Sequence, residues 1–177
     1  VEPEAVLIEP EGRNTAPAVL AAALWLSDQH PDAMMLVAPS DHVVPDADGF
    51  RAAVKAGQVA CDAGDLVTFG IRPDRPETGY GYLELADGAG DFTPTARKLK
   101  RFVEKPDMAN ATRMVEAGTY LWNAGIFLFA VKGILDGFKA HAPGMLAPCQ
   151  QSVDEAKPDL GFLRLAQEPW AALDDIS

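Results

Sequence analysis

The run Met34-Met35-Leu36-Val37-Ala38 constrains this chain most, because it is apolar at every position. A strand with one wet face alternates apolar and polar residues, whereas a strand covered on both faces does not. The run therefore predicts an interior strand with helices on both sides of its sheet. Val6-Leu7-Ile8 reads as a strand before it, and residues 66–71 as a third strand after it. Asn14 or Thr15 caps a helix with Pro17 in its first turn, ending about His30 before Pro31. Residues 46–63 read as an amphipathic helix stopped by Gly64. Strand, helix, strand, helix, strand predicts an α/β fold, mainly parallel, with right-handed crossovers. Open α/β sheets bind ligands at the carboxyl ends of their strands. The loops after Ile8, Ala38 and Ile71 are thus expected to share one rim.

The second half is less regular. Residues 82–85 and 98–103 read as strands joined across residues 87–90. A helix is expected from about Asp107 to Glu116, ended by Gly118, and a buried strand over residues 125–131. The remainder to Trp170 reads as helix, with loops around Pro143, Pro158 and Pro169. Residues 18–26 are apolar on every face of their helix, so it is buried or packed on a partner, and a homodimer is compatible with that. No repeat or composition shift marks a boundary, so a single domain over residues 1–177 is expected.

Charge and cysteine usage exclude several classes. A formal net charge of -11 disfavours nucleic acid and anionic membrane as partners. The longest apolar run, residues 16–26, is too short to span a bilayer, and no basic start precedes an apolar stretch. Cys61 and Cys149 have no metal-ligand spacing, which suits a reduced, cytoplasmic protein. His30, His42 and His141 form no cluster in the sequence. Neither a Walker A pattern nor G-x-G-x-x-G after a strand occurs.

Five places carry residues suited to chemistry. Asp41, directly after the apolar strand, can hold Mg2+, which takes one or two carboxylates and completes its shell from phosphate and water. It equally suits a turn cap. Residues 9–15 join a strand to a helix start, where free N–H groups favour an anion or a polar edge and Asn14 can offer its amide to a base; a routine capped junction is the alternative. Gly79 and Gly81, after the third strand, allow close approach of backbone to a ligand. Glu104 can accept from sugar hydroxyls and Lys105 can meet phosphate, unless both are solvated surface charges. Asn123 offers both a donor and an acceptor to a polyol, or satisfies a turn.

Taken in order, five segments carry a resemblance. They are Glu9-Pro10-x-x-Arg13-Asn14-Thr15-Ala16-Pro17, Pro39-Ser40-Asp41-His42, Phe69-Gly70-Ile71-x-Pro73-x-x-Pro76-Glu77-Thr78-Gly79-Tyr80-Gly81-Tyr82, Phe102-Val103-Glu104-Lys105-Pro106 and Trp122-Asn123-Ala124-Gly125-Ile126-Phe127. The set resembles the bacterial mannose-1-phosphate guanylyltransferases, or GDP-mannose pyrophosphorylases, some of which carry a fused mannose-6-phosphate isomerase. The resemblance implies a Rossmann-like nucleotidyltransferase domain, with a mainly parallel mixed sheet flanked by helices. It implies Mg2+ as cofactor, GTP and mannose 1-phosphate as substrates, and GDP-mannose and pyrophosphate as products. It places Asp41 among the metal carboxylates, Arg13, Asn14 and Thr15 at guanine, Gly81 at the nucleotide sugar, Glu104 and Asn123 on sugar hydroxyls, and Lys105 on phosphate, with Asp41 and Lys105 as the catalytic pair. It also implies a first strand with a Gly-rich triphosphate loop, and a second metal carboxylate, that residues 1–177 do not contain. The chain is therefore expected to be a piece of a longer protein and inactive alone. Another hexose-1-phosphate nucleotidyltransferase, or a non-catalytic nucleotide-sugar-binding module, is the competing reading.

Overall fold

The computed structural model describes residues 3–88, 90 and 93–176. Ala89, inside the turn expected over residues 87–90, lies outside them. The chain forms two compact units, one from residues up to Met35 together with those from Ala130 onward, the other from Leu36 to Phe129.

The first unit is built on α1 (Thr15–Gln29), which buries Pro17, Val19, Leu20, Ala21, Ala23 and Leu24. It packs against α4 (Val131–His141) and α5 (Leu146–Asp154). The all-apolar character of this helix is thus answered within the unit. Its core joins Leu20 and Leu24 to Met145, Cys149, Leu165 and Trp170. Each fully buried large side chain contributes about 1.5–3 kcal/mol.

β1 (Leu7–Ile8) lies parallel to β8 (Phe162–Arg164), and β8 lies antiparallel to β7 (Lys157–Asp159). This three-stranded sheet corrects two expectations. β1 does not join the sheet of the other early strands, and residues 157–164 form a hairpin rather than helix and loop. The turn between β7 and β8 has Leu160 at φ 49° and Gly161 at φ 87°. Two positive φ values in a two-residue loop mark a type I′ turn. Leucine in its first position hides the Asn-Gly or Asp-Gly signal that usually reveals such a turn. A short α6 (Gln167–Ala171) follows.

The larger sheet, of order β2-β6-β4-β5 with β3 also on β6, is carried mainly by the second unit. Its strands are β2 (Met34–Val37), β3 (Val67–Ile71), β4 (Tyr82–Leu85), β5 (Leu99–Val103) and β6 (Tyr120–Ala130). The α/β class is as expected, but the neighbours are not mainly parallel. β3 and β4 each pair antiparallel with β6, and β5 pairs antiparallel with β4. β3 and β4 therefore run the same way with an opposed strand paired to both, which repeated strand–helix alternation alone cannot reveal.

Two helices fill out this unit. In α2 (Ala47–Asp62) the Asp46 carboxylate caps the start by accepting from Gly49 N–H at 2.8 Å, and Gly64 follows the end at φ 89°. Gly57 sits where an added Cβ would be 3.2 Å from a Leu128 methyl, so the helix packs closely on β6. In α3 (Met108–Ala117) Asp107 caps the start and Gly118 the end, and Ala111 packs on Tyr82 and Trp122. Among the described residues no helix is long and apolar enough to cross a membrane.

Candidate active site

The register of the larger sheet sets four residues in one row. Gly70 of β3 lies opposite Asn123 of β6. Asn123 N–H donates to Gly81 C=O at 2.8 Å. Val103 pairs with Tyr82, which brings the next residue of β5's chain, Glu104, beside Gly81. Residues directly opposed across strands share a face. Asn123 is thus flanked by two positions without side chains, with the Glu104 carboxylate at one end of the row.

The glycine at 81 serves its neighbours. A Cβ there would lie 2.6 Å from the Phe102 ring and 3.0 Å from Glu104 Oε2. The preceding loop is held shut: Tyr82 OH accepts from Glu77 N–H at 2.9 Å and lies 3.0 Å from Glu77 C=O, to which it donates. The Arg75 guanidinium sits 5.3 Å from the Trp122 ring centre, and Tyr80 meets the same ring edge-on at 5.3 Å. These contacts fix the backbone that delivers Gly81. None of them is visible in the sequence.

Lys105 follows Glu104 and bonds it, Nζ to Oε1 at 3.2 Å, with both side chains more than half exposed. Lys105 has φ 41°, a left-handed conformation that costs a side-chain-bearing residue roughly 1–2 kcal/mol. Such a backbone is retained where the surroundings over-determine it, and these places cluster at functional sites.

Asp41 stands in an exposed turn after β2. Its loop passes β6 two residues beyond Asn123, since a Cβ on Gly125 would lie 3.9 Å from the Pro39 ring. Ile71, at the end of β3, lies opposite Trp122. The ends of β2 and β3 both lie beside β6, whereas the loop after Ile8, expected on the same rim, follows a strand of the other sheet. No group of three or more His, Cys, Asp or Glu among the described residues is placed to hold a metal. A single exposed carboxylate nevertheless fits the donor chemistry of Mg2+, which draws its remaining oxygens from water and phosphate.

Arg13, Asn14 and Thr15 belong to the first unit. Arg13 Nη2 donates to the Glu11 carboxylate at 2.6 Å and to Ala171 C=O at 2.9 Å, while its buried Nε has no partner. Asn14 N–H donates to Asp175 Oδ1 at 2.7 Å, and Ala16 N–H to Ile176 C=O at 3.0 Å. The Asn14 N–H, expected to be open to a ligand, is therefore committed to Asp175, and the Ala16 N–H that follows it to Ile176. The Asn14 side chain makes no cap bond. An open cleft of about 450 Å³ in this unit is lined by Leu7, Ile8, Glu9, Ala18 and Leu165, and burial there raises the Glu9 carboxyl above its ordinary value.

The fold and the sequence together define the class. Residues 2–171 match the Nucleotidyl transferase family, and the chain belongs to it. It is 44% identical over 172 residues to the xanthan biosynthesis protein XanB of Xanthomonas campestris, covering 97% of this chain and 36% of that protein. It is 43% identical over 177 residues to a mannose-1-phosphate guanylyltransferase of Escherichia coli, covering 98% of this chain and 37% of that one. The chain thus spans little more than a third of these curated relatives. Among solved structures, one described as mannose-6-phosphate isomerase from Helicobacter pylori superposes with a TM-score of 0.83 at 31% identity, over 97% of this chain and 64% of that one. Another, described as mannose-1-phosphate geranyltransferase from Thermus thermophilus, gives 0.77 at 33% identity, over 96% and 46%.

Proposed function

We propose that this chain forms part of a nucleotidyltransferase that joins GTP and mannose 1-phosphate to give GDP-mannose and pyrophosphate. The observation that carries the reading is the row Gly70, Asn123, Gly81 and Glu104, with Lys105 beside it. The relatives named as mannose-1-phosphate guanylyltransferases support the choice of base and sugar.

The chemistry suits such a row. A phosphate oxygen of the sugar attacks the α-phosphorus of GTP in line, a new P–O bond forms, and pyrophosphate leaves with the electrons of the broken bond. Two anions must be brought together, so the protein chiefly positions them and neutralises charge. The Asn123 amide and the Glu104 carboxylate complement sugar hydroxyls as donor and acceptor. Lys105 exchanges an exposed ion pair, worth about 0–1 kcal/mol, for a phosphate oxygen. Asp41 would hold Mg2+, which supplies charge neutralisation when bound. Asn14 and Thr15 meet guanine in this reading, and Arg13 holds their loop to Ala171.

The test is GDP-mannose formation by protein expressed from its complete reading frame, with Mg2+ and a panel of nucleoside triphosphates and sugar phosphates. GTP with mannose 1-phosphate is expected to be the preferred pair. Asp41→Asn and Lys105→Ala should each lower turnover by about 10²–10³, the cost of losing one preorganised charge-stabilising group. Normal turnover in either variant would reject the role assigned to that residue. Calorimetric binding of GDP-mannose that ignores Mg2+, with no turnover of any pair, would point instead to a binding module.

A further inference from the structure

We infer that Thr68 is a positioning residue, which turns the Asn123 amide into a donor aimed at the sugar; this rests on the reading of Asn123 as a sugar contact. Thr68 Oγ1 donates to Asn123 Oδ1 at 2.9 Å, with Ile126 C=O as a longer alternative at 3.4 Å. Gly125 N–H donates to the same Asn123 Oδ1 at 3.2 Å. A backbone N–H can only donate, so the atom it meets is the amide oxygen and the flip of Asn123 is determined. Both acceptor positions of Oδ1 are then taken by the protein. What Asn123 keeps for a ligand is its NH2, which selects acceptor oxygens.

The backbone builds this arrangement on purpose-made geometry. Thr68 pairs with Phe127 but Gly70 pairs with Asn123, so one residue of β3 faces three of β6. This is a bulge, and Gly125 within it has φ 67°. Bulges re-aim side chains beside functional sites. Here the bulge folds the Gly125 N–H back onto Asn123, and the Thr68 hydroxyl closes the same oxygen from the neighbouring strand. Position 68 tolerates several β-branched residues as strand formers, but only a hydroxyl can make this bond.

Thr68→Val removes the donor and keeps the shape. In protein from the complete reading frame it should raise KM for mannose 1-phosphate about tenfold, the effect of one lost orienting hydrogen bond, and leave kcat within about twofold. Thr68→Ser should restore the wild-type KM. Asn123→Ala should raise KM, and Thr68→Val added to it should do nothing more, because residues acting through one contact are not additive. NMR gives a readout free of turnover: the Asn123 side-chain NH2 resonances should move in Thr68→Val, as the amide loses its fixed orientation, and return to their wild-type positions in Thr68→Ser. Should the valine variant fail to fold, Thr68→Ala against Thr68→Ser makes the same comparison. An unchanged KM in the folded Thr68 variant, beside a raised KM in Asn123→Ala, overturns the role of Thr68 alone. An unchanged KM in Asn123→Ala overturns the sugar contact and this inference with it. Additive effects in the double variant place Thr68 outside the contact and also overturn it.

Discussion

Asn123 N–H and Gly81 C=O are joined at 2.8 Å, which ties β6 to the turn entering β4 at the midpoint of the candidate site. The bond fixes where the Asn123 side chain rises, and the glycine leaves its neighbours room to lie across the strand. Phe102 and Glu104 occupy the space that any other residue at 81 would need.

The two glycines flanking Asn123 should respond differently to alanine. At Gly81 the new methyl meets the tip of the Phe102 ring and the end of Glu104, both exposed and able to swing away. Gly81→Ala should therefore fold with a small loss, about 1 kcal/mol, yet displace Glu104 and weaken GDP-mannose binding. At Gly70 the methyl would lie 2.5 Å from Leu121 Cδ1 and 2.9 Å from its Cβ, an atom fixed to the backbone. Gly70→Ala should cost more, about 1–3 kcal/mol. Urea midpoints of the two variants check the order; equal midpoints would refute the steric account.

Lys105 at φ 41° separates backbone strain from charge. Lys105→Ala keeps the strain and removes the ammonium; Lys105→Gly removes both. The glycine variant should unfold at higher denaturant than the alanine variant, by about 1 kcal/mol, while the two lose transfer equally. Recovery of transfer in Lys105→Gly would show that the left-handed backbone, not the charge, carries the function.

Much of this was legible because apolar periodicity and capping act locally. Asp46, Gly64, Asp107 and Gly118 stand where the helix ends were expected, each satisfying a terminal group of its own helix. The strand at residues 34–37 was equally plain, but not its place: it stands at an end of the sheet order with Leu36 exposed, rather than in the interior position its unbroken apolar run predicts. Pairing was not legible, since β1 found its partner in residues 162–164 and β6 opposed its neighbours in ways no local signal encodes. Strand β6 also began at Tyr120, which moved Asn123 from a turn into a strand. Thr68 was invisible as a site residue because its importance comes from a cross-strand bulge, and an isolated threonine in a strand has no other signature. The Asn14 backbone N–H read as open, because its acceptor comes from the far end of the chain.

Glu84 links acidity to stability. It sits between Arg101 and Tyr120 in the sheet register and accepts from Lys100 at 2.7 Å and Arg101 at 3.0 Å. The Lys100 hydrogen bond first, then Tyr120 and the charge of Arg101, hold its carboxyl below the ordinary 4.5, against the pull of burial. A carboxyl with a depressed native pKa contributes stability above its unfolded value and loses it as pH falls through the native value. Glu84→Gln should thus lower the melting temperature near pH 7, and the gap to wild type should close as pH drops well below 4.5. A gap independent of pH would assign the effect to packing.

Both thiols should be silent in the folded protein. Cys149 is fully buried in the first unit's core, and burial pushes its pKa up to about 12. Cys61 is also buried, its Sγ–H donates to Leu128 C=O at 3.2 Å, and burial first, then Asp62 and Asp65, raise its pKa. The thiolate is the reactive species, so at pH 8 neither cysteine offers a useful fraction of it. Ellman's reagent should titrate no thiol in native protein and both in denaturant. Rapid native labelling of Cys149 would mean that the helical core opens far more often than its packing implies. Labelling of Cys61 alone would place that opening where α2 rests on β6. Cys149→Ser should destabilise by a few kcal/mol, since it puts a hydroxyl needing a partner into an apolar site, whereas Cys149→Ala costs only the lost contacts, about 1 kcal/mol.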